Sequence, residues 1–330
     1  MSEFEYKLGL AKGLIGRGKV SRRDFIHLGL AAGLTVAAAD KMFVTVARAQ
    51  AKQGGYARFG NAHGATTDSL DPAGYPDTFS QSAFYGGLSN NLTEVDADGN
   101  VQPELAESLE PSDDAKQWVI KLRKGVTFHN GKNVTADDVI ASLRYHMGEE
   151  SKSAAKALLD PVEDLKADGQ DTVVIRLKSG NADLPYLLSD YHFVIMPSAD
   201  GKADWQSGVR TGPFTLENFE PGVSAKLIRN PNYFKNGKPY LDEAEFIAIT
   251  DVAARMSALA TGEVDYINRA DLKTLGMLQR NPNIEIVELT GYAHYTLPMN
   301  TTVAPFDNPD VRMAIKHAID RDEIVQKIFL

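Results

Sequence analysis

His129 is the residue of this 330-residue chain whose setting is most typical of catalytic or metal-binding chemistry. It lies in a Phe-His-Asn-Gly segment at 128–131, a few residues before the carboxylates Asp137 and Asp138. Such groups can ligate zinc or transfer protons, but no second histidine stands at ligand spacing and no nucleophile is close. The segment therefore favours a turn after a strand, with the His129 ring held by backbone groups.

A second cluster of oxygen donors imitates a calcium loop. Asp96, Asp98, Asn100 and Glu107 match the template positions 1, 3, 5 and 12, but Val101 occupies the sixth position, where the template needs glycine. We therefore predict a hairpin turn and no metal site.

Other enzymatic patterns are missing from the sequence. It contains no cysteine, and no glycine-rich phosphate loop, metalloprotease helix or nucleophile elbow. A secreted hydrolase is kept as a remote alternative, although no spacing links a serine to a histidine and a carboxylate. No enzyme activity and no cofactor are expected.

The charge distribution separates the N-terminus from the rest of the chain. Residues 1–49 carry 8 basic and 4 acidic side chains, whereas the remainder carries 27 basic and 40 acidic ones. An acidic chain is a poor nucleic-acid binder, because that affinity depends on neutralising phosphates. With 43% hydrophobic residues, the chain is long enough to form two lobes with cores.

The first 49 residues have the layout of an export signal. Arg22 and Arg23 precede Phe25, an apolar run rich in Ala and Gly spans 26–39, and Ala-x-Ala patterns end at Ala49 and Ala51. A basic region, a short apolar run and a small-residue cleavage site are typical of secretory signals. The paired arginines resemble the twin-arginine signal. We therefore expect a periplasmic protein, exported by the twin-arginine machinery and cleaved near Ala49 or Ala51.

The remaining chain mixes strands and helices, which indicates an α/β fold. Alternating apolar residues predict strands at 54–60, 118–123, 171–178, 214–219, 224–229, 284–289 and 295–299. Helical spacing predicts helices at 79–91, 136–146 and 272–279, and one or two helices at 310–329. A β-α-β unit is expected from a strand at 244–250, a helix at 253–260 and a strand at 264–268. The apolar packing stripe of that helix is predicted at Met256, Leu259 and Ala260.

Several segments in order resemble the extracellular solute-binding proteins of the peptide and nickel class, family 5 of ABC importers. They are Asp-Ser-Leu-Asp-Pro at 68–72, Val-Gln-Pro-Glu-Leu-Ala-Glu-Ser at 101–108, Leu-Arg-Lys-Gly-Val-Thr-Phe-His-Asn-Gly-Lys at 122–132, Thr-Gly-Pro-Phe at 211–214, Asn-Pro-Asn-Tyr-Phe at 230–234, Gly-Lys-Pro-Tyr-Leu-Asp-Glu at 237–243 and Pro-Phe-Asp-Asn-Pro-Asp-Val-Arg at 305–312. The resemblance covers nearly all of residues 54–330.

The resemblance implies a type II periplasmic-binding-protein fold, in which two lobes close on a ligand about a hinge. Residues 50–91 and 206–290 are expected to form the main subdomain of lobe one, with residues 92–205 as an inserted subdomain. Gly212, between Thr211 and Pro213, is predicted to need a special backbone conformation where the chain returns to that lobe. Residues 291–330 are expected to begin lobe two, which is incomplete because the family's chains continue further.

The ligand site is predicted from this architecture, since ligands of two-domain proteins bind where the domains meet. The loop from Leu70 to Phe79 follows the first strand, and a turn bracketed by prolines is its alternative interpretation. The candidate ligand-binding residues are Gly74, Tyr75, Asp77, Thr78 and, from lobe two, Asn300.

The expected function is capture of a dipeptide or oligopeptide and its delivery to the permease subunits of an ABC transporter. A nickel complex, an opine, glutathione or an oligosaccharide stays open as the solute on the same fold. The complete protein is expected to be a monomer, and the 330-residue chain to bind peptides weakly and to associate through an apolar helix in 310–329.

Overall fold

The computed structural model describes residues 53–96, 98–288 and 295–329, together with His27 and Leu30. The signal residues Arg22, Arg23 and Phe25 and both predicted cleavage sites lie outside these described residues. Among the helices that are described, none has the length and apolar character needed to cross a membrane.

Strands dominate the described chain. Their bounds are β1 Tyr56–Asn61, β2 Thr93–Val95, β3 Val101–Pro103, β4 Ala106–Pro111, β5 Gln117–Leu122, β6 Val162–Ala167, β7 Thr172–Leu177, β8 Ser198–Ala199, β9 Lys202–Ala203, β10 Phe214–Glu220, β11 Ser224–Arg229, β12 Glu243–Ala248 and β13 Tyr266–Ile267.

The described chain also contains α-helices, most of them short. Their bounds are α1 Thr78–Ser80, which continues as a π-helix over Gln81–Gly87, α2 Ala136–Tyr145, α3 Lys156–Leu159, α4 Leu184–Leu187, α5 Val252–Thr261, α6 Leu275–Leu278, α7 Pro309–Ala318 and α8 Arg321–Ile324, which continues as a π-helix over Val325–Phe329. A 3₁₀ turn spans Pro72–Gly74.

Residues 53–55 and 240–242 form one group, and the other described residues of 56–239 and 243–329 form a second group. Within the first group, Gly54 N donates to Tyr240 O at 2.7 Å and Asp242 N donates to Gly55 O at 2.8 Å. All features described below belong to the second group.

A five-stranded sheet has the order β10-β11-β12-β1-β13. β1 pairs in parallel with β12 on one side and with β13 on the other, while β10, β11 and β12 pair antiparallel. Phe59 of β1 lies opposite Phe246 of β12, and their rings stack at 5.0 Å. The predicted β-α-β unit is confirmed as β12, α5 and β13, and its two strands flank β1.

A four-stranded antiparallel sheet with the order β4-β5-β7-β6 lies between β1 and β10 in the chain. Alternate residues of β5, namely Trp118, Ile120 and Leu122, are buried, as the period of a half-buried strand requires. They share one core with Val173, Ile175 and Leu177 of β7 and with apolar residues of α2. The strand predictions at 118–123 and 171–178 are therefore confirmed.

Helix α2 begins where its sequence predicts. Thr135 precedes the helix, and both its backbone N and its hydroxyl donate to the Asp138 carboxylate, at 3.0 and 2.8 Å. Asp137 and Asp138 in the first turn also suit the positive end of the helix dipole.

Buried polar side chains join the segments between the two sheets; we call Asn90, Asn91, Glu104, Tyr233 and Lys235 the junction cluster. Glu104 Oε1 accepts from Asn90 Nδ2 at 2.6 Å and from Lys235 Nζ at 2.5 Å. Its Oε2 accepts from the backbone N of Asn91 at 2.9 Å, and the Tyr233 hydroxyl lies 3.1 Å from Asn90 Nδ2. The Glu104 carboxylate, only 5% exposed, thus has partners on both oxygens.

The sequence prediction is wrong near the C-terminal end of the described chain. The described part of 284–289 and residues 295–299 form no strand, although their apolar pattern alternates. A strand needs backbone partners on a neighbouring strand, and no described strand pairs with either segment. By contrast, the prediction of one or two helices over 310–329 is confirmed as α7 and α8, which are separated at Ile319.

Candidate functional site

An open cleft of about 700 Å³ lies at the carboxyl ends of the parallel strands β1 and β12. Parallel pairing brings these two ends together, and ligands of open α/β sheets bind outside the carboxyl ends of the strands. The cleft volume is within the range of small-molecule sites, about 300–1,000 Å³. Its walls are formed by Ala62, His63, Gly64, Pro76, Asp77, Thr250, Val252, Arg255 and Arg269.

The segment after β1 forms one wall and is packed tightly. Ala62 N donates to Asn268 Oδ1 at 2.8 Å. Gly64 has a φ of +148°, and a Cβ at this position would lie 2.3 Å from the Cβ of Ala248. Only glycine fits both the conformation and the space, so this wall has a fixed backbone.

His63 has a defined ring orientation. Its Nδ1 lies 3.1 Å from Thr78 Oγ1 and 3.5 Å from the backbone N of Thr78. Because a backbone N–H can only donate, Nδ1 is an acceptor, and the proton of the neutral ring is assigned to Nε2. His63 therefore offers a donor on the side of the ring that does not face Thr78.

Arg255, in the first turn of α5, is 3% exposed. Its guanidinium donates only to backbone carbonyls: Nη1 to Ile249 O at 2.6 Å and to Thr250 O at 3.3 Å, Nε to Asn268 O at 3.1 Å, and Nη2 to Arg269 O at 2.9 Å. Burial lowers the pKa of this guanidinium, and the charge of Arg269 acts in the same direction. Arg255 thus ties the end of β12 to the segment after β13.

Arg269 lies at the mouth of the cleft in a left-handed conformation, with a φ of +49°. This conformation costs a non-glycine residue about 1 kcal/mol or more. The bond from Arg255 to the Arg269 carbonyl holds it there. The Arg269 side chain is exposed and makes no ion pair with any described residue.

Of the predicted ligand-binding residues, Asp77 lines the cleft. Thr78 does not line the cleft, but its hydroxyl lies 3.1 Å from Nδ1 of His63, which does. The Asp77 Oδ1 also accepts from Phe79 N and Ser80 N, both at 3.0 Å, and so caps α1. Gly74 is exposed, and a Cβ there would meet no atom within 4 Å.

The Tyr75 side chain packs into the core. It is 1% exposed, its hydroxyl donates to Leu70 O at 3.3 Å, and its ring lies 5.9 Å from that of Phe84. Burial raises the pKa of its hydroxyl to about 12. Any contact of Tyr75 with a ligand in this conformation would therefore use its backbone.

Asn300 does not line the cleft. Its Oδ1 accepts from Thr302 N at 3.0 Å and from Thr302 Oγ1 at 2.8 Å, which forms a local turn. Asp77 and Thr78 therefore lie at the cleft, directly or through His63, whereas Asn300 does not.

The two sites rejected from sequence are structural. His129 Nδ1 accepts from Arg210 N at 3.2 Å, and its Nε2 lies 3.1 Å from Gly212 O. Burial lowers the pKa of His129 to about 4, so the ring is neutral at pH 7. The prediction of a ring held by backbone groups is confirmed.

The calcium-like segment is a hairpin between β2 and β3, as predicted. Asp96 Oδ1 accepts from the backbone N of Asp98 at 3.0 Å and of Asn100 at 2.9 Å. Within the described ranges, no three His, Cys, Asp or Glu side chains are grouped so as to hold a metal ion.

Known proteins share both the sequence and the fold. Residues 100–330 match the model of the bacterial extracellular solute-binding proteins, family 5. The glutathione-binding protein GsiB of Salmonella typhimurium is 31% identical over 275 residues, which cover 81% of this chain and 53% of that protein. The chain thus spans about half the length of the curated relatives that it matches.

Solved structures agree with the sequence comparison. The agropinic acid complex of AgaA from A. tumefaciens R10 is 27% identical with a TM-score of 0.71, over 82% of this chain and 55% of AgaA. The peptide complex of DppA from Helicobacter pylori is 25% identical with a TM-score of 0.69, over 86% and 60% of the two chains. The chain therefore belongs to family 5 of the bacterial extracellular solute-binding proteins.

Proposed function

We propose that this protein is the solute-binding component of an ABC importer and that it captures a short peptide or a closely related solute. The observation that carries the proposal is the open cleft at the carboxyl ends of β1 and β12. Asp77, from the loop after β1, contributes to its wall. The partners would be the permease subunits of the importer.

Three similar proteins narrow the chemistry of the solute. GsiB is named for glutathione, which is itself a tripeptide, and AgaA was solved with agropinic acid, an opine. H. pylori DppA was solved with the peptide STSA. A nickel complex or an oligosaccharide stays open as an alternative solute on the same fold.

The proposed layout follows the two sheets. Residues 50–91 and 206–290 would form the main subdomain of lobe one, because β1 pairs with strands from 243–267. Residues 92–205 contain the whole four-stranded sheet and would be its insertion. Residues 291–330 would begin lobe two, and Asn300 would act from there.

Isothermal titration calorimetry of the native gene product tests the binding function. Dipeptides to pentapeptides, glutathione and an opine should include one that binds at one site per monomer and is recovered unchanged. Cleavage of a bound peptide, detected by mass spectrometry, would instead support the secreted hydrolase.

Export is tested separately. We infer that Arg22 and Arg23 direct the protein to the twin-arginine machinery and that cleavage occurs near Ala49 or Ala51. Replacing both arginines with lysine should keep the precursor in the cytoplasm. The matched control replaces Lys7 and Lys12 with arginine and should leave export unchanged. Normal periplasmic processing of the first variant would contradict the assignment.

A further inference from the structure

We propose that Arg269 and His63 form an anion subsite in the cleft and that it receives a carboxylate of the solute. This inference rests on the proposed solute-binding function. It concerns two residues on different walls, one after β13 and one after β1. Both line the same cleft.

The first observation is the unusual position of Arg269. Its left-handed φ of +49° is unfavourable, yet the buried guanidinium of Arg255 donates to its carbonyl at 2.9 Å and fixes it. Strained conformations that the surrounding structure maintains are concentrated at functional sites. Here the effect of the strain is to place an exposed guanidinium, without an ion pair to any described residue, at the cleft wall.

The second observation is the donor on His63. The Thr78 backbone N–H occupies Nδ1, so the Nε2–H of the neutral ring is free to donate to a ligand oxygen. No described residue accepts from Nε2. A guanidinium together with an imidazole N–H forms a donor set that suits a carboxylate.

Other charges near the cleft are of both signs. Thr250 and Val252 of the lining flank the N-cap of α5, where Asp251 accepts from Ala254 N at 2.7 Å and offsets the positive end of the helix dipole. Asp77 is a second carboxylate at the cleft, and its Oδ1 accepts three hydrogen bonds from Phe79 and Ser80. Arg255 adds a buried positive charge behind Arg269.

The test compares free acids with neutral analogues. The probes are trialanine and its C-terminal amide, and glutathione and its glycyl monoethyl ester, titrated calorimetrically into the native gene product. Arg269→Gly is the informative variant, because glycine adopts a positive φ without strain and only the side chain is lost. Arg280→Ala, which removes another exposed arginine outside the cleft, is the matched control.

We expect Arg269→Gly to bind the free acid about 10- to 100-fold more weakly, as for a lost hydrogen bond to a charged group. Binding of the amide or ester should change less than threefold, and thermal stability should not fall. His63→Phe should reduce the preference for the acid severalfold, and Arg280→Ala should leave it unchanged.

Two results would overturn the subsite. One is an Arg269→Gly variant that keeps the full preference for the acid; the other is an equal loss for acid and amide. Failure of the unsubstituted protein to bind any of the four probes would contradict the proposed function, and the subsite with it. The failures are distinguishable, because one appears only in the variants and the other appears before any substitution.

Discussion

The junction cluster and the cleft are both rich in polar groups, but only in the junction cluster are the key side chains paired with each other. At the junction, both oxygens of Glu104 have protein donors, from Asn90, Asn91 and Lys235. At the cleft, Arg255 is satisfied by carbonyls, while the side chains of Arg269 and His63 face open space. Closed networks stabilise the fold, whereas donors without partners are available to a ligand.

Glu104→Ala tests whether the hydrogen bonds of the junction cluster stabilise the fold. Glu104→Ala would remove the acceptor of the Asn90 side-chain amide and of the Asn91 backbone N–H in a buried setting, and would leave Lys235 paired with Glu94 alone. Leaving two buried donors unsatisfied costs about 1–3 kcal/mol for each donor. The free energy of unfolding from urea titration should fall by the sum for the two donors, which is the largest effect expected here.

The control for this prediction is Glu107→Ala, three residues along the chain and exposed. It should change the free energy of unfolding by less than about 0.5 kcal/mol. If the two variants were equally stable, the junction cluster would not contribute to stability and the contrast with the cleft would be lost.

The fold was largely predictable where the signal is local. Trp118, Ile120 and Leu122 stand at every second position of an apolar-rich run, and their shared burial is what a half-buried strand predicts. Residues 295–299 alternate in the same way but form no strand. The difference is non-local, because a strand exists only if another segment supplies its hydrogen-bond partners.

The site was less predictable. Asp77, predicted from the loop after β1, lines the cleft, but Arg255, Arg269 and His63 were not predicted there. Arg269 reaches the cleft only because β13 pairs with β1, which brings Asn268 beside Ala62 across 206 residues. The predicted stripe of Met256, Leu259 and Ala260 is also wrong, because the buried face of α5 holds Arg255 and Ala258.

The histidine beside the junction gives the next largest effect. His129 has a pKa of about 4 because it is buried, against about 6.5 in an unfolded chain. At pH above 6.5 both states are neutral, and stability is complete. As the pH falls from 6.5 to 4 the unfolded state takes up the proton first, so stability is lost over this window, by about 2–3 kcal/mol.

The measurement is the unfolding free energy at pH 7.5, 5.5 and 4.5 for the unsubstituted protein and for His129→Gln. The variant should be less stable at pH 7.5 but should lose less stability on acidification. Parallel curves for the two proteins would show that His129 titrates normally and is not enclosed by Arg210 and Gly212.

Gly212 tests the close packing of two backbone segments rather than the hydrogen bonds of side chains. The sequence predicted a special conformation, but its φ is not in the left-handed region. The constraint is instead close approach, since a Cβ would lie 2.3 Å from the carbonyl carbon of Leu88. Gly212→Ala should therefore lower the free energy of unfolding by about 1–3 kcal/mol, as for other overpacked sites.

Gly276→Ala is the matched control, because its Cβ would meet no atom within 4 Å. Alanine in the short helix α6 should be neutral or stabilising by up to about 1 kcal/mol. Equal effects at the two positions would mean that the backbones at 88 and 212 are not in close contact.

The smallest stability effect is expected at Tyr145, which connects α2 with the loop after β1. The Tyr145 hydroxyl, at the end of α2, donates to Asp71 Oδ1 at 2.9 Å, and Ala73 N donates to the same oxygen at 2.8 Å. Tyr145→Phe removes one of these two bonds and should cost about 0.5–1.5 kcal/mol. Because Asp71 shapes the loop that carries Gly74 and Asp77, solute affinity should fall severalfold even though Tyr145 does not line the cleft. Tyr186→Phe, which removes an exposed hydroxyl from α4, should leave solute affinity unchanged. If Tyr145→Phe lowered the unfolding free energy but left the affinity intact, the loop would be positioned without help from α2, and the closed and open regions would be independent of each other.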